Sequence, residues 1–283
     1  MDTFDQPDSL REHLSSERGL GKQIGFVPTM GGLHDGHLAL VHHALSLTDT
    51  VVVSIFVNPL QFGANEDLDA YPRRLAADLA LLAEAGAHVV FTPSADVMYP
   101  DGLAAQTKVL VPELTNVLCG ASRPGHFDGV STVVCKLFNM VAPDIAVFGQ
   151  KDLQQLLIIQ RMVADLALPI AVVGHPTARD TDGLALSSRN TYLDDVQRAI
   201  APLLFHTLSE IATAVRDGSR DYVALENCAL STLESAGFAP DYIEIRRPHD
   251  LIRATAADKE VAIFGAARVG ETRLIDNIVV TAD

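Results

Sequence analysis

Two histidines three residues apart, His34 and His37, lie in the stretch FVPTMGGLHDGHL at residues 26–38. They follow an apolar β-type run at 24–29 and the turn Met30-Gly31-Gly32-Leu33, with Asp35 and Gly36 between them. A helix-like segment, 37–47, comes next. Strand, glycine turn and helix start make a natural phosphate site, because backbone N–H groups and the helix dipole favour negative charge there. Imidazoles at its lip can donate hydrogen bonds to charge that develops during a reaction. The same residues also suit an ordinary βα turn in which the histidines cap and pack. Zinc is the weaker reading, since the pair has no evident third ligand.

Three other loops carry compatible chemistry. Residues 58–63 (NPLQFG) offer Asn58 and Gln61, whose amides both donate and accept. Residues 149–152 bring Gly149, Gln150, Lys151 and Asp152 to a strand-to-helix turn, and 186–190 bring Leu186, Ser187, Ser188 and Arg189. Lys151 is a point charge, and Arg189 is a fork that takes two phosphate oxygens. Taken singly, each has a plainer explanation: a solvated Lys151–Asp152 pair, a capping Ser187, turn amides at Asn58 and Gln61. Delivery of all four loops to the carboxyl ends of one sheet is what points to an anion-handling cleft. The patterns GxxxxGK[ST], GxGxxG and HExxH are absent, so a Walker-type ATPase, a dinucleotide dehydrogenase and a zinc protease lose support. His126, in the Pro-Gly loop 122–129, reads as a surface residue, and His13, His42, His43, His88, His175, His206 and His249 read as structural.

The elements that must position these loops alternate. Helix signals at 8–20, 37–47, 72–85, 130–141 and 153–166 separate strand signals at 24–29, 50–58, 88–92, 145–149 and 170–174, with a further short strand expected at 108–111. The near-continuous β-branched run TVVVSIFVN is typical of a strand buried on both faces of a parallel sheet. The fold expected is α/β, a doubly wound parallel sheet of Rossmann-like type. Past residue 180 the order becomes helices at 195–217 and 221–235 and then strands at 241–247, 260–265 and 273–280. That change suggests two units, 1–180 and a smaller C-terminal α+β domain at 181–283.

Composition narrows the function. A length of 283 residues, 48% of them hydrophobic, gives ample core. A net charge of −15 with no basic stripe argues against nucleic acid as a partner. No uncharged run reaches membrane-spanning length. Three scattered cysteines, Cys119, Cys135 and Cys228, form no CxxC pair and are expected to be small buried hydrophobes in a reducing compartment. The polar, acidic N-terminus resembles neither a signal nor a transit peptide, so the expected location is cytoplasmic.

The segments PTMGGLHDGH, VSIFVNPLQFG, YPRRLAADL, RPGHFDGVSTVV, FGQKDLQQL and DGLALSSRN, in this order from about residue 20 to about 195, together resemble the pantoate–β-alanine ligase family. HxGH alone marks the wider nucleotidyltransferase superfamily. The resemblance implies a two-step ligation through pantoyl adenylate, with ATP, pantoate and β-alanine as substrates, Mg²⁺ arriving with ATP and no tightly bound organic cofactor. It implies that Met30 to His37, Gly149 to Asp152, Ala178 and Leu186 to Arg189 hold ATP. His34, His37, Lys151, Ser187, Ser188 and Arg189 would act on the phosphates. The family makes His37 a proton donor, although binding phosphate and stabilising the transition state is the simpler physical role. Gln61 and Gln155 match glutamines that hold pantoate, Asn58 would lie near the β-alanine entry, and Val130, Val133 and Val134 match the apolar wall behind pantoate's dimethyl group. A homodimer and a C-terminal lid are further implications. No metal ligand is fixed; Asp78 is only a candidate. Gln150 stands where the family commonly has Glu, and Ala178 where it commonly has Val. The competing readings are another adenylate-forming or cytidylyl-transferring enzyme acting on a different acid, and a nucleotide binder without catalysis.

Overall fold

The computed structural model describes residues 1–63 and 66–281. Its larger sheet holds β1 (Asp2–Phe4), β2 (Ile24–Thr29), β3 (Thr50–Ile55), β4 (Val89–Phe91), β5 (Ile145–Gly149) and β6 (Ala171–His175), all parallel, in the order β1-β4-β3-β2-β5-β6. Around it run α1 (Pro7–Gly19), α2 (Asp35–Leu47), α3 (Leu75–Glu84), α4 (Ala95–Met98), α5 (Cys119–Ser122), α6 (His126–Val141) and α7 (Leu153–Asp165). Because successive strand side chains alternate in direction, β3 serves two cores at once. Val51 and Val53 pack with Val41, Ala44 and Leu82 from α2 and α3, while Val52 packs with Leu10, Leu14, Phe138 and Ile158 from α1, α6 and α7. The doubly wound α/β sheet is thus present, with helices on both faces.

The chain reverses its direction of travel across the sheet between β2 and β5. Two neighbouring strands send their following loops to opposite faces there, which opens a crevice beyond their carboxyl ends. The histidine turn leaves β2 and the Gln150–Asp152 turn leaves β5, so topology alone brings His34, His37 and Lys151 to one crevice.

The C-terminal part is built from α8 (Asp195–Ile200), α9 (Leu203–Arg216), α10 (Tyr222–Ser235) and an antiparallel sheet of β7 (Ala239–Arg246), β8 (Glu260–Val269) and β9 (Thr272–Thr281). One face of that sheet, with Val261, Ile263 and Ala267, meets α9 and α10 in its own core. Ala262 and Phe264 face the other way and join the core of the first unit. The two parts are therefore packed together through β8.

Several local expectations are corrected. Residues 108–111 form no strand; the Val109 N–H donates to Thr132 Oγ1 and its carbonyl accepts from Ser131 Oγ, so α6 side chains take the place of a ladder. The helix expected at 195–217 is two helices, because Pro202 has no N–H to continue the first. The three-residue β1 is too short to show a periodicity. Cys119 is buried as expected, whereas Cys135 is half-buried and Cys228 exposed.

The glycine turn after β2 is set by one residue of α3. Gly31 and Gly32 have φ of 79° and 61°, a region only glycine enters without strain. Asp78, 2% exposed, accepts the N–H of Gly32 at 3.0 Å and that of Leu33 at 2.9 Å. Asp78 is thus a clip for the turn, with each carboxylate oxygen accepting an amide, and among the described residues no group of three His, Cys, Asp or Glu side chains forms around it. Replacing Asp78 with Ala strands two amides. We expect it to lower the unfolding free energy by about 2–3 kcal/mol in denaturant titration, the scale for hydrogen bonds to a charged group, and an unchanged midpoint would show that the clip carries no stability.

Candidate active site

At the β2–β5 crevice lies a cleft of about 330 Å³. His34 is the N-cap of α2, and its Nδ1 accepts the Gly36 N–H at 3.1 Å. That bond leaves the ring proton on Nε2, the nitrogen free to donate. His37 lies in the first turn of α2, and the three-residue spacing puts both rings on one face, centroids 4.1 Å apart. His37 Nδ1 is buried without a hydrogen-bond partner among the described residues, an orphan that a ligand in the cleft can satisfy.

Both imidazoles are neutral at physiological pH. Burial, reinforced by the charge of Lys151, pushes His34 down to about 4. Burial, with His34 and Lys151 adding to it, pushes His37 down to about 3. Lys151 lines the same cleft and has no carboxylate partner among the described residues. Its turn is held from the C-terminal sheet: Asn277 Nδ2 donates to the carbonyls of Gln150 and Lys151, both at 2.9 Å.

The 186–189 loop closes one wall. Ser188 Oγ donates to the Gly32 carbonyl at 3.0 Å and Ser187 Oγ accepts the Arg189 N–H at 3.3 Å. Arg189 lines the cleft while gripping Asp67 with two bonds of 2.8 and 2.9 Å. Arg123 grips Glu66 in the same way, with two bonds of 2.6 Å. Burial alone would raise Glu66, but the bonds from Arg123 overcome it and hold this carboxyl at about 2.

Another part of the lining is apolar with two amides. Val130, Val133 and Val134 of α6 line it beside Gln61, Gln155, Leu137 and Phe148. α6 reaches this close to the 58–63 loop only because position 129 is glycine: a Cβ there would stand 2.2 Å from the Leu60 carbonyl oxygen. Gln61 Nε2 donates to Met30 Sδ at 2.9 Å, and its Oε1 accepts from Asn58 Nδ2 at 3.2 Å. Asn58 in turn accepts from Tyr99 OH at 2.7 Å and donates to the Gly129 carbonyl.

Most of the expected site residues meet here, but several do not. Asn58 is 1% exposed and stands behind Gln61, so it orients that side chain and does not front the cleft. Gly31, Gly32, Leu33 and Asp35 are absent from the lining, as is Gln150, which faces a separate groove. The anion cradle expected of the glycine turn is also corrected: the amides of Gly31, Gly32, Leu33 and Gly36 are spent on Thr29, Asp78 and His34. What the turn presents is imidazole. Among the described residues no three His, Cys, Asp or Glu side chains cluster to hold a metal.

Residues that sequence reasoning left out also line the cleft. His126 begins α6 and its Nδ1 lies 2.7 Å from the Gln61 carbonyl, so it is no surface residue. Arg123 precedes it in the same RPGH segment. Asp67 and Glu66 carried no local signal, nor did Arg268, Arg273 and Ile275 of the β8–β9 hairpin.

The depressed histidines give a pH signature. In the unfolded chain they bind protons near pH 6.5, whereas in the folded chain they resist until about 4 and 3. Their contribution to stability is complete above about pH 6.5 and is lost as pH falls toward those values. Burial, with the charge of Arg123 adding to it, also pushes His126 down to about 4. We therefore expect NMR titration to show three imidazoles with midpoints below 5, one lost in His34→Gln and one in His37→Gln; midpoints near 6.5 for those two would contradict the buried neutral pair.

Comparison with known proteins agrees with this architecture. The model of the family described as pantoate-beta-alanine ligase matches residues 2–279. A pantothenate synthetase of Pseudomonas fluorescens strain Pf-5 is 59% identical over 278 residues, 98% of this chain and 97% of that protein. A pantothenate synthetase of Pseudomonas aeruginosa is 55% identical over 283 residues, the full length of both. The crystal structure of pantothenate synthetase from Thermus thermophilus superposes with a TM-score of 0.92 at 45% identity, covering 98% of this chain and 99% of that one. A pantoate-beta-alanine ligase from Francisella tularensis, crystallised with beta-gamma ATP and beta-alanine, gives a TM-score of 0.81 at 35% identity over 99% and 97% of the two chains. With the crevice, the paired imidazoles and the valine wall in place, the chain belongs to the pantoate–β-alanine ligase family.

Proposed function

We propose that the cleft joins pantoate to β-alanine in two steps driven by ATP. A pantoate carboxylate oxygen attacks the α-phosphorus, the bond to the β-phosphate breaks, and pyrophosphate leaves. The amine of β-alanine, as free base, then attacks the acyl carbon of pantoyl adenylate; AMP departs, the amine sheds a proton, and pantothenate remains. The observation that carries this reading is the neutral pair His34–His37 beside Lys151, which has no carboxylate partner among the described residues, in a cleft also lined by a valine wall and two glutamines. The Francisella relative, solved with a nucleotide and beta-alanine, supports the substrate assignment.

Each group has work suited to its state. The Nε2–H of His34 and the ring of His37 donate to phosphate oxygens as charge gathers on them, without proton transfer. A group held near 3 has no acid proton to give at neutral pH, so hydrogen bonding replaces the proton-donor role for His37. Lys151 balances charge on the transferring and leaving phosphates. Gln61 keeps one N–H and one lone pair for pantoate's hydroxyl and carboxylate, and Gln155 offers its whole amide. Val130, Val133 and Val134 take the dimethyl carbon. Mg²⁺ enters as part of the nucleotide substrate, held by phosphate oxygens and waters, which is the usual manner for this ion; Glu66 and Asp67 are committed to arginines. Residues 1–180 form the ATP- and pantoate-binding unit, and residues 181–283 cover it as a lid. A cytoplasmic homodimer completes the reading, with sedimentation as its test.

Pantoate-dependent exchange of labelled pyrophosphate into ATP tests the first step directly. We expect exchange in the wild type with pantoate and none without it; exchange driven equally by unrelated acids would overturn the pantoate assignment. His34→Ala, His37→Ala and Lys151→Ala should each slow exchange about a hundred- to a thousandfold with the fold retained, the scale for losing one transition-state donor. Gln61→Ala should raise the pantoate KM about tenfold or more while leaving the ATP KM near normal, and the reverse pattern would remove Gln61 from the pantoate end.

A further inference from the structure

The cations of the cleft differ in their partners, and Arg273 is ion-paired with Asp241 through a single contact of 2.6 Å. Arg123 and Arg189 are each neutralised by a two-pronged carboxylate. Among the described residues, Lys151 and Arg268 line the cleft with no carboxylate partner. Arg268 makes one bond, to the Glu271 carbonyl at 3.3 Å, and its side chain is exposed. For a protein with 36 acids against 21 lysines and arginines, leaving a guanidinium unpaired at a cleft rim is a specific placement.

The second observation is register. Arg268 on β8 and Arg273 on β9 are directly opposite each other in the antiparallel ladder. Like charges facing one another this way destabilise a strand pair. Only two residues, Gly270 and Glu271, separate the strands, so the hairpin cannot relax the pairing by sliding. Arg273 is fixed from below: its Nε donates to Asp241 at 2.6 Å and one Nη to Ser122 Oγ at 3.2 Å. A guanidinium clamped at this point and a free one beside it, both fronting the cleft that holds His34 and His37, make a double-cation wall.

We propose that Arg268, set opposite the fixed Arg273, binds the terminal phosphates of the nucleotide and the pyrophosphate they become. The inference rests on the adenylating reaction proposed above and deepens it: the C-terminal unit supplies a phosphate ligand as well as cover. Lys151 and the imidazoles serve the transferring end of the triphosphate, and Arg268 serves its far end. A bound polyanion also removes the repulsion across the ladder, so occupancy of the cleft tightens the hairpin.

The test uses the full-length protein and its Arg268→Ala and Arg268→Lys variants. Pyrophosphate binding is measured by calorimetry, and KM values for MgATP and pantoate by steady-state assay. We expect Arg268→Ala to weaken pyrophosphate and to raise the MgATP KM about tenfold to a hundredfold, the worth of one charge-assisted contact pair. The pantoate KM should stay within about twofold, and Arg268→Lys should recover part of the loss. The melting temperature of Arg268→Ala should equal or exceed that of the wild type, because the like-charge pair is gone; a purely structural arginine would lower it. Unchanged pyrophosphate affinity and MgATP KM in Arg268→Ala, with normal pantoate-dependent exchange in the wild type, overturn this inference alone. Absence of that exchange in the wild type overturns the adenylation reading and this inference with it.

Discussion

The carboxylate of Asp78 accepts the amides of Gly32 and Leu33, and the head of the cleft takes its geometry from that clip. Two glycines at positive φ make a turn that has no conformational preference of its own. A buried acceptor that satisfies two successive amides removes that freedom. With the turn fixed, His34 arrives at the N-cap of α2, where Gly36 N–H sets its tautomer, and His37 follows one turn later. Ser188 donates to the Gly32 carbonyl, so the 186–189 loop is referenced to the same point. Distant segments therefore share one anchor, and it lies on α3, outside the motif that carries the imidazoles.

Charge in the cleft follows from burial. A partly buried guanidinium is tolerated when its fork is filled, and Glu66 and Asp67 fill the forks of Arg123 and Arg189. Neutralising the imidazoles by burial solves the same problem by another route, since a charged ring at His37 would face both Lys151 and His34. Among the described residues, the cleft cations without a carboxylate partner are Lys151 and Arg268. The division matters for anion binding, because a polyanion in the cleft meets two cations not already engaged by a carboxylate, with neutral imidazoles beside Lys151.

Local pattern reached some of this and missed the rest for identifiable reasons. β2, β3 and β5 are apolar runs ending in glycine or amide loops, so their identity and the loops after them were legible. The strand order, which decides that the loops after β2 and β5 meet, is set by tertiary pairing and shows in no local run; once it is known, the rule for open α/β sheets locates the crevice. Asp78 was visible only as an acid on a helix; its role depends on a turn 46 residues away in sequence. Asn58 has the chemistry of a ligand residue, yet Tyr99 and Gly129 absorb it. His126 reads as exposed because Pro-Gly loops are usually at the surface, but α6 begins at that residue and turns it toward Gln61. The β8–β9 arginines belong to strands whose patterning shows burial alone, so nothing local connects them to the histidines.

The ties along β9 join residues 181–283 to the first unit. Asn277 holds the carbonyls of Gln150 and Lys151, and Asp276 grips Arg179 with bonds of 2.5 and 2.8 Å. Rotating the whole unit away from the first sheet breaks all four, and buried hydrogen bonds of this kind are worth about 0.5–3 kcal/mol each. Such a rotation also frees the turn that carries Lys151, dismantling the site as it opens. Arg273 and Arg268 lie beyond those ties, toward the Gly270-Glu271 tip, and Arg273 is three residues, roughly 10 Å of strand, from Asp276. Arg273 is itself tied to Asp241 and to Ser122 of the first unit, so freedom at this end of the hairpin is left to the exposed Arg268 side chain while the Lys151 turn stays anchored. Movement of that side chain therefore leaves the geometry around Lys151 intact, and under the adenylation proposed above the cation with room to move is the one proposed to bind pyrophosphate.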